Sequence, residues 1–433
     1  MKKKIFQEKE TINNLSVKKT KNTHVWITFF LTIYFILLVK LTTIEAIIND
    51  KFFGIYSILI TTYILSRFLF SYFHGTVPTD ESYKPTVTFV VPAKNEEDNI
   101  AETIRRFSKV NYPREKIEVI AIDDGSTDGT LAEMYRIKKE IGNKFNVEIV
   151  HWDKNKGKRE GMAEGVLRAK NEIVIFIDSD SFIDKDCVTH LVKYFVNPKV
   201  GAVCGHSDVY NKDTNLLTKM QTVRYYIAFK IYKSAESIFG TVTCCPGCCS
   251  AYRKEYVLEF LDKWRKQKFL GVRCTYGDDR SLTNFIIQKY ETVYSEDAMA
   301  WTVVPEKFRQ YMRQQQRWKK SWLRETFIAS TFMWRKNPIA ALSFYAYIFL
   351  AFISPIVFFR AMIWYPYITN SLPIVYLTGL FLMLFLHGLY YRASVGVRSW
   401  FLAIISFWFN TVILMWQLPW ALITLRDTRW GTR

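Results

Sequence analysis

Five apolar stretches bracket a central block of this 433-residue chain, and that bracketing limits the possible folds more than any single motif does. Val25–Val39 and Phe53–Phe73 precede the block; Ile339–Tyr365, Ser371–Tyr391 and Trp400–Leu425 follow it. Runs of this kind read as helices that span a bilayer. The Lys-rich N-terminus is then cytoplasmic by the positive-inside rule, and two spans return the chain to the cytoplasm near His74. Three further full crossings would leave the C-terminus outside, yet residues 428–433 are basic. The last segment contains Asn410, Gln417 and Pro419, which point to a re-entrant or interfacial course.

Net charge bears on the partners. The chain carries 59 Lys+Arg against 40 Asp+Glu, a formal +19. In a soluble protein this would suggest nucleic acid. Beside membrane spans it reads as cytoplasmic flanks and a surface facing anionic lipid or substrate, with no nucleic-acid partner. The seven cysteines all lie between Cys187 and Cys274. Cys244-Cys245-Pro246-Gly247-Cys248-Cys249 has no second Cys/His pair at ligand spacing, so it reads as small residues packing a tight loop in a reducing compartment.

From Thr86 the hydrophobic period changes. Apolar runs at Thr86–Val91, Ile117–Ile122, Val147–His151 and Glu172–Ile177 alternate with amphipathic, helix-like patterns at Glu97–Val110, Asp128–Ile141 and Lys158–Ala169. Strand–helix alternation predicts an α/β domain with a mostly parallel sheet covered on both faces. Such sheets bind ligands beyond the carboxyl ends of their strands. Residues 306–336 differ: a basic pattern with Trp318, Trp322 and Trp334 at roughly helical spacing predicts an amphipathic helix at a membrane surface.

The strand ends carry the chemistry. Asp178-Ser179-Asp180 follows an apolar strand, and two carboxylates on a tight turn suit one hard cation, Mg or Mn, that also bridges two phosphates. Asp123-Asp124 ends an earlier strand, where carboxylates can accept hydrogen bonds from a base or ribose; one of the pair also suits a helix cap. Pro92, Asn95 and Glu96 close the first strand and face the same edge. Lys156-Gly157-Lys158-Arg159 offers a Gly turn with cations at a helix start, a place for phosphate. Gly277-Asp278-Asp279-Arg280 opens a helix, where a carboxylate can stay ionised and take a proton from a sugar hydroxyl. Gln314, Arg317 and Trp318 put an amide, a guanidinium and an indole on one helical turn. The guanidinium suits a diphosphate and the indole a sugar ring.

This ordered series resembles the processive, inverting family-2 glycosyltransferases of the membrane, the group of cellulose, chitin and hyaluronan synthases. The resemblance runs from about Val90 to the last residue. Gly205-His206, Asn215-Leu216-Leu217-Thr218, Phe269-Leu270-Gly271, the GDDR with Leu282-Thr283-Asn284, and Trp430-Gly431-Thr432-Arg433 look most like bacterial hyaluronan synthases. Two stretches depart. Cys245-Pro246-Gly247-Cys248 stands where those synthases carry Ser-Gly-Pro and looks more like chitin synthases. Trp301-Thr302-Val303-Val304-Pro305 resembles nodulation-type chitin-oligosaccharide synthases.

The resemblance implies a GT-A-like transferase domain embedded between transmembrane helices. It implies Asp279 as general base with Asp278 beside it, Asp180 and Asp178 as metal ligands, and Asp123 and Asp124 on the uridine. Pro92, Asn95, Glu96, Lys158 and Arg159 would complete the UDP site, with Gln314, Arg317 and Trp318. Cys245, Gly247, Cys248, Arg280 and Trp318 would face the acceptor. Trp430 and Thr432 would belong to a segment that closes over nucleotide. The expected division is residues 1–24, a basic cytoplasmic N-terminus; 25–74, two transmembrane helices; 75–305, the cytoplasmic transferase domain; 306–337, the interface helices; 338–425, transmembrane or re-entrant helices forming a channel; and 426–433, the terminal segment. The expected function is a multi-pass plasma-membrane synthase, expected as a monomer. It would use UDP-GlcNAc and UDP-glucuronate to extend a nascent hyaluronan in contact with membrane lipid. A GlcNAc polymer or oligomer, or a glucose–glucuronate capsule polymer, is the alternative within the class. A non-processive lipid-carrier transferase and a transporter with an inactive cytoplasmic domain are the alternatives outside it.

Overall fold

The computed structural model describes residues 23–42, 51–78, 80, 82–396 and 400–427. The basic segment 1–22 and the terminal residues Trp430 and Thr432 lie outside the described residues.

The transferase domain is built on an eight-stranded sheet in the order β3-β2-β1-β4-β7-β6-β10-β5. Its strands are β1 (Val87–Ala93), β2 (Ile117–Asp124), β3 (Asn146–Trp152), β4 (Ile173–Phe176), β5 (Ser181–Ile183), β6 (Val200–Val209), β7 (Ser250–Arg253) and β10 (Glu291–Thr302). A separate two-stranded ribbon, β8 (Lys268–Phe269) and β9 (Val272–Arg273), turns at Leu270-Gly271. β1 and β2 are buried along their whole length, as continuous apolar strands covered on both faces must be. Val87, Phe89 and Val91 join the core on one face, where Phe89 stacks on Phe107 at 4.1 Å. Val90, Ile120 and Ile122 join the core on the other face, around the fully buried Trp264.

The sheet is mixed. Four neighbouring pairs are parallel, and three, β4–β7, β6–β7 and β5–β10, are antiparallel. In-register pairing sets Ala93 beside Asp123, and Asp124 beside Trp152. β4 lies on the other side of β1, so the ends of β2, β1 and β4 open on one edge. That shared edge is what brings residues 92–96, 123–124 and 178–180 together.

Among the described residues, five helices are long and apolar enough to cross a membrane: Thr23–Lys40, Lys51–Phe73, Pro338–Thr369, Ile374–Val395 and Phe401–Ile423. They are joined to the transferase domain through the helix Leu216–Ile227 and its continuation Ala228–Lys233. Val223, Ile227 and Ile231 pack there with Val25, Phe29, Phe68 and Leu386.

The last apolar segment breaks at Leu414–Trp416. Along its course it lies against helices of the transferase side. Ser406 bonds the Met220 carbonyl at 3.1 Å, Phe409 meets Phe308 and Tyr311, and the Gln417 amide donates to the Met312 carbonyl at 3.2 Å. Leu418, Ala421 and Leu425 then pack with Leu323. The chain returns to the transferase domain: the Tyr276 hydroxyl donates to the Asp427 carbonyl at 3.1 Å, and Lys320 lies 3.4 Å from the Asp427 carboxylate.

Candidate active site

One cavity of about 2400 Å³ runs from the carboxyl edge of the sheet into the space between the apolar helices. Asp124, Asp178, Asp180, Asp279, Trp318 and Tyr225 line its transferase end. Lys40, Ser57, Ser354, Tyr376 and His387 line the part among the apolar helices.

Neighbouring carboxylates have divided roles. Asp123 is fully buried and does not line the cavity. Its carboxylate lies 2.7 Å from His151 Nδ1 and accepts from the Ser126 N–H at 3.2 Å, so it holds the turn after β2. Asp124 does line the cavity. It accepts from Asn155 Nδ2 and the Lys156 N–H, both at 2.6 Å, and from the Gly157 N–H at 3.0 Å. Burial raises its pKa above the ordinary range, against those donors. Asp124 thereby clamps the loop that starts the helix Lys158–Arg168.

That helix start presents one cation to the cavity and buries another. The Lys158 ammonium pairs with Asp178. Burial opposes its charge, but Asp178, Asp279 and Asp278 outweigh burial and raise its pKa. Arg159 also lines the cavity but is almost wholly buried. Its guanidinium meets Asp278 at 2.7 Å, the Trp264 carbonyl at 2.9 Å and Gln267 at 3.1 Å. Arg159 and Asp278 therefore form a buried ion pair within the cavity lining. Pro92, Asn95 and Glu96 all line the cavity. Asn95 adopts a left-handed φ of 55° that asparagine tolerates, and its side-chain oxygen accepts from the Thr127 N–H at 2.9 Å.

Asp279 is half-buried in the first turn of the helix Asp278–Ile287 and faces the cavity. The Cys244 thiol is 3.9 Å from its carboxylate; burial pushes that thiol up to about 11, so it is neutral at physiological pH. Gly277 precedes the helix with φ +73°, and a Cβ there would fall 1.8 Å from Ser321 Oγ. Only glycine permits this close approach of the Gly277-Asp278-Asp279 turn to the helix Phe308–Ser330. That helix brings Gln314, Arg317 and Trp318 to the cavity.

On the loop Cys244–Cys249, Gly247 and Cys248 line the cavity with Arg280. Cys245 does not; it is fully buried, and its N–H donates to Thr283 at 3.0 Å. A Cβ on Gly247 would stand 2.7 Å from Asp178 Oδ1 and 3.0 Å from Lys158 Nζ. Gly247→Ala is therefore expected to displace the Asp178 carboxylate and lower turnover by up to about 10²-fold. Steady-state kinetics with a thermal melt checks this, since the melting temperature should hardly move.

Asp178 and Asp180 fit a hard divalent ion that completes its shell with phosphate and water oxygens. Among the described residues no group of three or more His, Cys, Asp or Glu side chains forms a protein cage for a metal. Arg224, Tyr225 and Lys319 also line the cavity and escaped the sequence reading, because no motif marks them.

The model for glycosyl transferase family 2 matches residues 88–261. A hyaluronan synthase of Streptococcus pyogenes serotype M3 is 31% identical over 391 residues, which cover 88% of this chain and 90% of that protein. The chain belongs to glycosyl transferase family 2. An N-acetylglucosaminyltransferase of Azorhizobium caulinodans is 34% identical to this family-2 transferase over 57% of its length and 62% of the relative's. Among solved structures, a mannosyltransferase from Pyrobaculum calidifontis in complex with GDP-Man and Mn2+ aligns with a TM-score of 0.59 at 20% identity. It covers 87% of this transferase and 99% of its own chain, a likeness of fold. The GT-A-like core of the family-2 enzyme is thus flanked by apolar helices that could cross a membrane.

Proposed function

We propose that this family-2 glycosyltransferase is a processive, inverting membrane synthase that makes hyaluronan from UDP-GlcNAc and UDP-glucuronate. The observation that carries the reading is the continuous cavity. It joins Asp178, Asp180 and Asp279 to a space between apolar helices, so a polymer leaving the acceptor site has somewhere to go. Similarity to a hyaluronan synthase over nearly the whole of both chains supports the product. Asp178 and Asp180 would hold Mg or Mn beside the diphosphate, with Lys158 and Arg317 near it. Asp279 would take the proton of the attacking hydroxyl, with Trp318 under the acceptor sugar. The C-terminal return to Tyr276 suits four crossings followed by an interfacial segment, with the transferase domain and both termini cytoplasmic at the plasma membrane.

The second reading is a chitin-type enzyme making a GlcNAc polymer. The N-acetylglucosaminyltransferase relative and the Cys-Pro-Gly-Cys loop favour it. Purified enzyme given each UDP-sugar alone and then both decides between them. Hyaluronan synthesis predicts long polymer only with both donors, and digestion of that polymer by hyaluronidase. Chain growth from UDP-GlcNAc alone would replace it with the chitin-type reading.

A further inference from the structure

Among the described residues, two of the cations in the cavity make no ion pair with a carboxylate. Lys319 and Arg224 both line it, on the helices Phe308–Ser330 and Leu216–Ile227. Arg224 is anchored by neutral groups, the Gln315 side-chain oxygen and the Tyr311 hydroxyl, the latter at 3.0 Å. Lys319 forms no ion pair among the described residues, whereas the next residue, Lys320, pairs with Asp427 and Lys158 pairs with Asp178. Burial, with Arg224 close by, lowers the Lys319 pKa to about 7. Two like charges held together away from water are costly unless an anion joins them.

The surroundings indicate which anion. Each cation adjoins an aromatic in sequence, Arg224 beside Tyr225 and Lys319 beside Trp318, and the two rings lie 6.5 Å apart. Aromatic faces beside fixed donors are how a sugar ring with a charged substituent is held. Trp322, one turn beyond Lys319, packs edge-on against Tyr347 of the apolar helix Pro338–Phe359 at 5.5 Å. Trp322 and Tyr347 line the same cavity, so this stretch of the helix lies where the cavity meets an apolar helix. The loop Asn155–Lys158 and Asp178 serve the diphosphate end.

We propose that Lys319 and Arg224 bind the carboxylate of a uronic acid residue in the growing chain and so determine that the polymer is acidic. The inference rests on the synthase reading and specifies its acceptor. A neutral GlcNAc chain would leave the two cations uncompensated; an alternating glucuronate chain presents a carboxylate at every second sugar.

The test is equilibrium binding to the full-length enzyme in lipid nanodiscs, without turnover. The probes are a hyaluronan tetrasaccharide, the same tetrasaccharide with its carboxyls converted to amides, and UDP. Wild type should bind the carboxylate form about tenfold or more tightly than the amide. Lys319→Gln should abolish that preference, Lys319→Arg should keep it, and neither should change UDP affinity. Equal binding of acid and amide by wild type would overturn the proposal without any variant. A preference that survives Lys319→Gln would also overturn it. A loss of UDP affinity in Lys319→Gln would assign the cations to the diphosphate instead. Failure of the synthase reading shows separately, as absence of polymer from the two UDP-sugars.

Discussion

Asp279→Asn is expected to lower sugar transfer about 10²–10⁴-fold while leaving the fold and UDP binding in place. On the proposed reading, an inverting step would need a group that accepts the acceptor hydroxyl's proton as the oxygen attacks the anomeric carbon and UDP departs. An amide of the same shape cannot accept it. Asp279 is the half-buried carboxylate of the GDD turn that faces the cavity. Asp278 is the internal control. Its carboxylate is buried against Arg159 at 2.7 Å, so Asp278→Asn removes one partner of a buried ion pair. That should cost stability, about 3–5 kcal/mol, rather than chemistry alone. Kinetics, UDP titration and thermal melts on both variants separate the two roles. Near-normal polymer synthesis by Asp279→Asn would place the base elsewhere.

The same contrast shows what can be read from sequence. The first four strands, the helices between them and the motifs at their ends follow from local periodicity, and they form within two or three residues of the expected bounds. The second half of the sheet does not. β7 is four residues long and runs antiparallel between β4 and β6, and β10 joins β6 from nearly a hundred residues away. Nothing local encodes such pairings.

Within the site, the sequence shows Asp-Asp pairs and a Lys-Arg pair but not which member faces the cavity. Strand and helix geometry turn adjacent side chains to different sides. Asp123 is turned away from the cavity while Asp124 lines it, and in the GDD turn Asp278 is engaged by Arg159 while Asp279 is only half-buried. Arg224 and Lys319 lie 95 positions apart, and only packing of their helices makes them a pair.

Asp180→Asn is the second large effect, with synthesis falling by about 10³-fold or more. Asp178 is paired with Lys158, and Asp180 is the second carboxylate of the DxD turn that lines the cavity. A divalent ion held between the two would offset the negative charge that builds on the departing diphosphate, a stabilisation of several kcal/mol. Each 1.36 kcal/mol is tenfold in rate, so losing one ligand is enough for the expected fall. Asparagine keeps the side chain's size, which separates lost charge from lost packing. The fold should therefore survive, with an unchanged thermal melt. Chelator should silence the wild type, and added Mg or Mn should restore it. Added metal should not rescue Asp180→Asn at concentrations that saturate the wild type. Full wild-type activity in chelator without added metal would remove the metal, and with it this role of Asp180, from the reading.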